Sequence, residues 1–206
     1  MKPYPSIASS QGQQFREFEA YVFDKLDGSN LRMEWTRKVG WSKFGTRSRL
    51  FDETDTDFGT AIPVFRRDWA IPLAEVARQQ RWNHLIVFME FHGKNSFAGK
   101  HDPADEKKLT LFDACPDKKG LLGPRAFLDT FDGLPYAKFF GICKWTRGFV
   151  ERVRAGTEPG GMTFEGVVGK AGSRHELVMA KAKTQAWVDK VLAQYGEAEG
   201  KKLVAS

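Results

Sequence analysis

An α+β fold is what this sequence predicts, and two observations carry the prediction. Short runs rich in Val, Phe, Ile and Leu recur along the chain between Gly, Pro and Asp, the pattern of strands. Helical stretches fall among them without the regular strand–helix alternation of a parallel sheet. The length, 206 residues, suits one domain, or one domain with a small appendage, and is enough to bury a core.

Taken in order, strands are expected at 20–25 (AYVFDK) and 30–36 (NLRMEWT). A helix fits 64–82, where Pro72 must mark a break or a helix start. Strands come next at 85–91 (LIVFMEF) and 109–114 (LTLFDA), then helices at 124–131 and 147–155. The segment 156–161 (GTEPGG) reads as a loop. Strands at 163–170 (TFEGVVGK) and 176–183 (ELVMAKAK) lead into a helix at 184–195. A single domain over 1–206 is expected, with 184–206 as its C-terminal helix and tail.

Charge and composition narrow the class. The net charge of +6 and the pI near 9.3 suit a polyanionic partner such as nucleic acid, although a basic soluble protein with no such partner has the same balance. Cys115 and Cys143 are too few and too far apart for a zinc ribbon, and read as free thiols in a reducing compartment. The first twenty residues contain no apolar stretch of the signal-peptide kind. The longest strongly apolar run, Leu85 to Met89, ends at Glu90 and cannot span a bilayer. A cytoplasmic monomer without membrane partners is the expectation.

The chemistry begins at Lys25-Leu26-Asp27-Gly28-Ser29-Asn30, where a lysine ends an apolar strand before a turn. To act as a nucleophile, its amine must lose a proton near neutral pH, which burial or neighbouring cations favour. By itself K-x-D-G describes a surface lysine before a turn equally well. Further along, Glu90 lies near the end of LIVFMEF, where an unpaired charge in a strand is costly and calls for a partner. Phe112 lies in LFDA, an aromatic that can stack on a base. Glu165 precedes Gly166, which allows close backbone approach. Lys181 and Lys183 share one face of a strand, because residues i and i+2 do. Two adjacent ammonium groups repel and are tolerated where something strongly anionic, such as a triphosphate, lies over them.

The ordered set KLDG, an arginine motif, EFHG, LFDA, EGVV and KAK resembles the signature of the covalent nucleotidyltransferases, which include ATP-dependent RNA and DNA ligases and mRNA capping enzymes. The resemblance covers about residues 20–185. It implies a nucleotidyltransferase (ATP-grasp-like ligase catalytic) domain with antiparallel sheets flanked by helices. It also implies that Lys25 attacks the α-phosphorus of ATP to give a lysyl-AMP. Asp27 and Glu165 match acids that hold Mg2+ or Mn2+, and Glu90 the acid that binds the ribose. Phe112 matches the aromatic stacked on adenine, with Val167 as the apolar contact opposite. Lys181 and Lys183 match the pair that contacts the phosphates. Asp24 occupies the position that reads the adenine amino group, and Leu26 lies beside the nucleophile in the same nucleotide-binding motif. Asn30 matches a polar position near the phosphates or metal waters. In the segment 45–49, Arg47 is favoured over Arg49 as the arginine that contacts the ribose or the acceptor end.

Residues 184–206 provide one helix and a tail, not the C-terminal OB domain of DNA ligases and capping enzymes. The resemblance therefore implies a compact ATP-dependent RNA ligase joining RNA 5′-phosphate and 3′-hydroxyl ends. A minimal DNA ligase core and a catalytically silent nucleic-acid-binding module of the same fold are the alternatives.

Overall fold

A computed structural model describes residues 1–10 and 15–205. The strands are β1 (Ala8–Ser9), β2 (Phe18–Lys25), β3 (Ser29–Thr36), β4 (Gly40–Gly45), β5 (Leu50–Phe51), β6 (His84–His92), β7 (Lys108–Pro116), β8 (Phe139–Trp145), β9 (Gly166–Ala171) and β10 (Val178–Lys183). The helices are α1 (Ala61–Asp68), α2 (Ala70–Gln79), α3 (Pro124–Thr130), α4 (Arg147–Arg154) and α5 (Gln185–Ala205). This is the α+β class expected, with antiparallel sheets and helices. Beyond Lys183 and Thr184 the chain forms the helix α5.

The contacts resolve two compact units. The first comprises Met1–Pro5, Gly28–Tyr136 and Ser173–His175, and the second Ser6–Asp27, Ala137–Gly172 and Glu176–Ser206. Each is assembled from separated stretches, so no linker or composition shift marks the division in the sequence.

In the first unit the sheet runs β5-β4-β3-β6-β7, with every neighbouring pair antiparallel. Leu31, Met33 and Trp35 of β3 and Leu85 to Met89 of β6 are buried, as are Ile62, Phe65 and Leu73 of the helices. The continuous burial of β6 explains why its sequence shows no alternation. The Phe65 ring meets Trp41 and Phe44 edge-on, at centroid distances of 4.8 and 5.8 Å. The helical stretch breaks at Trp69, where φ is −125°, and Pro72 stands at a helix start, one of the two roles expected of it. Pro63 and Pro72 each sit in a first turn, where a missing N–H removes no helical hydrogen bond.

In the second unit the order is β1-β10-β9-β2-β8, antiparallel except where β1 joins β10. Ala20, Val22, Trp145, Phe149, Val150, Val153, Val167 and Ala182 form its core. The buried face of α4 supplies Phe149, Val150 and Val153, and its first turn is capped by Thr146, whose hydroxyl accepts from the Phe149 N–H at 3.2 Å. The expected strand over 163–170 begins only at Gly166, and the expected strand over 176–183 only at Val178, after a 3-10 turn at Arg174–Glu176.

Candidate active site

The second unit gathers the charged residues of three sequence motifs, KLDG, EGVV and KAK. β9 lies between β2 and β10, with Lys25 opposite Gly166 on one side and Lys183 opposite Gly166 on the other. Gly166 makes this possible. Its φ is +137°, and a Cβ there would stand 2.1 Å from the Ala182 carbonyl oxygen. Any side chain at 166 would therefore force β9 away from β10 beside Glu165.

Glu165 is 4% exposed, and its carboxylate is shared. Its Oε1 lies 2.9 Å from Lys25 Nζ and 3.1 Å from Lys183 Nζ. The Glu165 backbone is also fixed, since its carbonyl accepts from the Thr184 N–H at 2.9 Å. The Thr184 hydroxyl donates to the Phe164 carbonyl at 2.7 Å and accepts from the Trp187 N–H at 3.1 Å, so one threonine ties the glutamate segment to the start of α5. Lys183 is 4% exposed and Lys181 3% exposed. Burial and the neighbouring Lys25 charge lower the Lys183 pKa, against the pull of Glu165 and Asp27. Lys183 Nζ also stands 4.1 Å from the centroid of the Trp187 ring.

Asp27 accepts a hydrogen bond from the Trp187 indole N–H at 2.6 Å. Asp24 is buried, and its Oδ1 accepts from the Thr163 backbone N–H at 2.8 Å and from the Thr163 hydroxyl at 3.1 Å. Burial raises the Asp24 pKa, and the Thr163 bonds offset this in part. Leu26 is half-buried just after the end of β2. Val167, expected as an adenine contact, is a fully buried member of the core.

The first unit holds the remaining expected residues. Asn30 of β3 pairs in register with Glu90 of β6, which pairs with Thr110 of β7. The β6–β7 register slips between Phe88 and Met89. Asp113 faces Phe88 and Leu111 faces Met89, so Phe112 is the extra residue of a bulge. A bulge re-aims a side chain, and Phe112 is half-buried where its neighbours Leu111 and Asp113 are buried. The Tyr4 ring meets Phe112 edge-on at 5.1 Å and donates its hydroxyl to Asp113 Oδ2 at 2.7 Å. Arg47 and Arg49 lie in the β4–β5 turn. Arg49 is tied to Asp55 and Asp57.

Sequence reasoning missed Thr163, Thr184, Trp187 and Tyr4. Thr184 carried a signal, as a threonine just before a helical pattern. The others form side-chain contacts far apart in sequence.

Among the described residues, no group of three or more His, Cys, Asp or Glu could hold a metal ion. Asp27 and Glu165 offer hard oxygen donors, however. Magnesium is commonly held by one or two carboxylates together with substrate phosphates. The pair fits a metal of that kind and not an all-protein cage.

No family model matches the chain, and no curated protein matches it closely enough to count. Solved structures do match. An archaeal ATP-dependent RNA ligase is 20% identical, with a TM-score of 0.68 over 99% of this chain and 56% of that one. A Naegleria gruberi RNA ligase mutant solved with ATP and manganese is 17% identical, with a TM-score of 0.64 over 92% of this chain and 58% of that one. The same ligase solved with pyrophosphate is 15% identical at a TM-score of 0.64, covering 92% and 58%. This chain has the fold of those RNA ligases. It spans a little over half the length of the ligases it matches. No helix is long and apolar enough to cross a membrane among the described residues.

Proposed function

We propose that the chain is an ATP-dependent RNA ligase that forms a covalent lysyl-AMP on Lys25. The observation that carries this reading is the shared contact of Lys25 and Lys183 with Glu165 Oε1, at 2.9 and 3.1 Å. A nucleophilic amine must shed a proton, and Glu165 Oε1 is within hydrogen-bond reach of the one Lys25 would lose. In the first step a bond forms between Lys25 Nζ and the α-phosphorus as the bond to pyrophosphate breaks. Lys181 and Lys183 would contact the phosphates and stabilise the departing charge. AMP then passes to an RNA 5′-phosphate, and attack by a 3′-hydroxyl seals the strand and releases AMP.

Asp27 and Glu165 would hold Mg2+ or Mn2+, which neutralises charge on the phosphates and orients them. The Trp187 indole fixes Asp27 for that task. In the first unit, Glu90 and Asn30, paired across β3 and β6, would bind the ribose and phosphate region. Phe112, aimed by its bulge, would stack on adenine, and Arg47 would contact the ribose or the RNA end. Asp24 would read the adenine amino group. The basic balance of +6 supports a nucleic-acid substrate.

The test is sealing. With ATP and magnesium, a nicked duplex carrying RNA at the 3′-hydroxyl side should be joined into one strand on a denaturing gel. Sealing should be lost in Lys25→Ala. A protein that binds the duplex and never joins it would contradict the proposal.

A further inference from the structure

The phosphate-contacting lysines of the second unit are already engaged by the protein itself. Helix α5 breaks at Gly196, whose φ of +74° and ψ of 172° lie outside the helical region. The limb 197–205 doubles back on 185–195, and its Gly200 is buried against Leu192. In the last turn of that limb, the Leu203 carbonyl accepts from Lys183 Nζ at 3.3 Å and the Ala205 carbonyl accepts from Lys181 Nζ at 2.9 Å. Two buried ammonium groups thus donate to main-chain carbonyls of the limb.

Accepting the ligase reading, on which this step rests, we propose that the limb 197–205 is an autoinhibitory strap. It occupies the phosphate positions of Lys181 and Lys183 and lifts when a triphosphate binds. The energetics favour exchange. A phosphate oxygen carries a formal negative charge and a peptide carbonyl only a partial one, so the two ammonium groups are attracted more strongly to a triphosphate than to the carbonyls of the strap. The strap also has little apolar grip, for Gly200 is its one buried residue among those of α5, whereas 185–195 buries Trp187, Val188 and Val191. The first limb is anchored, and Gly196 is the hinge.

The experiment uses the full chain with inorganic tripolyphosphate as probe. Hydrogen exchange of the 197–205 amides should accelerate on binding, while 185–195 stays protected. The variant Gly200→Leu displaces the strap without removing it, because a Cβ at 200 would stand 2.9 Å from the Leu192 side chain and 3.2 Å from its Cα. It should bind tripolyphosphate roughly 5- to 10-fold more tightly, since the open state no longer has to be reached against the strap. Binding to the wild type with unchanged or greater protection of 197–205 overturns the strap. So does an affinity that Gly200→Leu leaves unaltered. If neither protein binds tripolyphosphate, the strap falls too. Absence of a Lys25-AMP adduct in the same samples then identifies the ligase reading as the premise that failed, and presence of the adduct clears it.

Discussion

The Trp187 indole donates to Asp27 Oδ2 at 2.6 Å across 160 residues of chain, joining helix α5 to the segment just after Lys25. The same ring lies under Lys183, so one aromatic side chain steadies a carboxylate and an ammonium of the proposed site.

Trp187→Phe keeps a ring beneath Lys183 and removes the N–H. Loss of a hydrogen bond to a charged acceptor should cost about 1.5–3 kcal/mol in urea unfolding. Self-adenylylation should then need more magnesium, because Asp27 is no longer held. An unchanged magnesium requirement would argue that the bond is structural only.

Glu165→Gln leaves the buried Lys183 ammonium without its carboxylate. Breaking a buried pair from one side costs about 3–5 kcal/mol. Adding Lys183→Met should return most of that stability and none of the activity. If the single variant unfolds at the same denaturant concentration as the wild type, the ion-pair account is wrong.

Lys183 also predicts a pH effect. Its pKa is lowered in the folded protein, chiefly by burial and then by Lys25. Between that lowered value and the ordinary 10.5, the unfolded chain holds more protons than the folded one, so stability from this group rises with pH. The stability advantage of Lys183→Met over the wild type should therefore shrink as pH climbs through that window. A gap that widens with pH would reverse the sign and refute the assignment.

Asp24 runs the other way. Burial raises its pKa above 3.8, so the folded protein binds the proton more tightly and the group loses stability as pH rises above that value. Asp24→Asn keeps an oxygen to accept from Thr163 and carries no charge. At neutral pH it should be at least as stable as the wild type, and the difference should close near pH 4. If adenine is read here, the variant should also discriminate less between ATP and GTP in adduct formation.

Much of this site was legible in the sequence because its charged residues sit at strand ends or on strands. Lys25 ends β2, Lys181 and Lys183 share a face of β10, and Glu165 precedes a glycine that only a close strand crossing requires. The misses have physical causes. Strand β8 contains Gly141 and alternates poorly, and β4 is bounded by glycines, so neither shows a clear strand pattern. The bulge that aims Phe112 is a matter of register between β6 and β7, which no local pattern encodes. The limb 197–205 has a polar face pattern and one buried glycine, so nothing in its sequence signals that it packs back on the helix before it.

The most direct measurement is intact mass after incubation with ATP and magnesium, without nucleic acid, on the wild type and on Lys25→Ala. The account predicts a gain of one AMP less water on the wild type, reversed by pyrophosphate and absent in the variant. Folded wild-type protein that has first been cleared of bound AMP with pyrophosphate, and that then gains no mass from ATP, would contradict it.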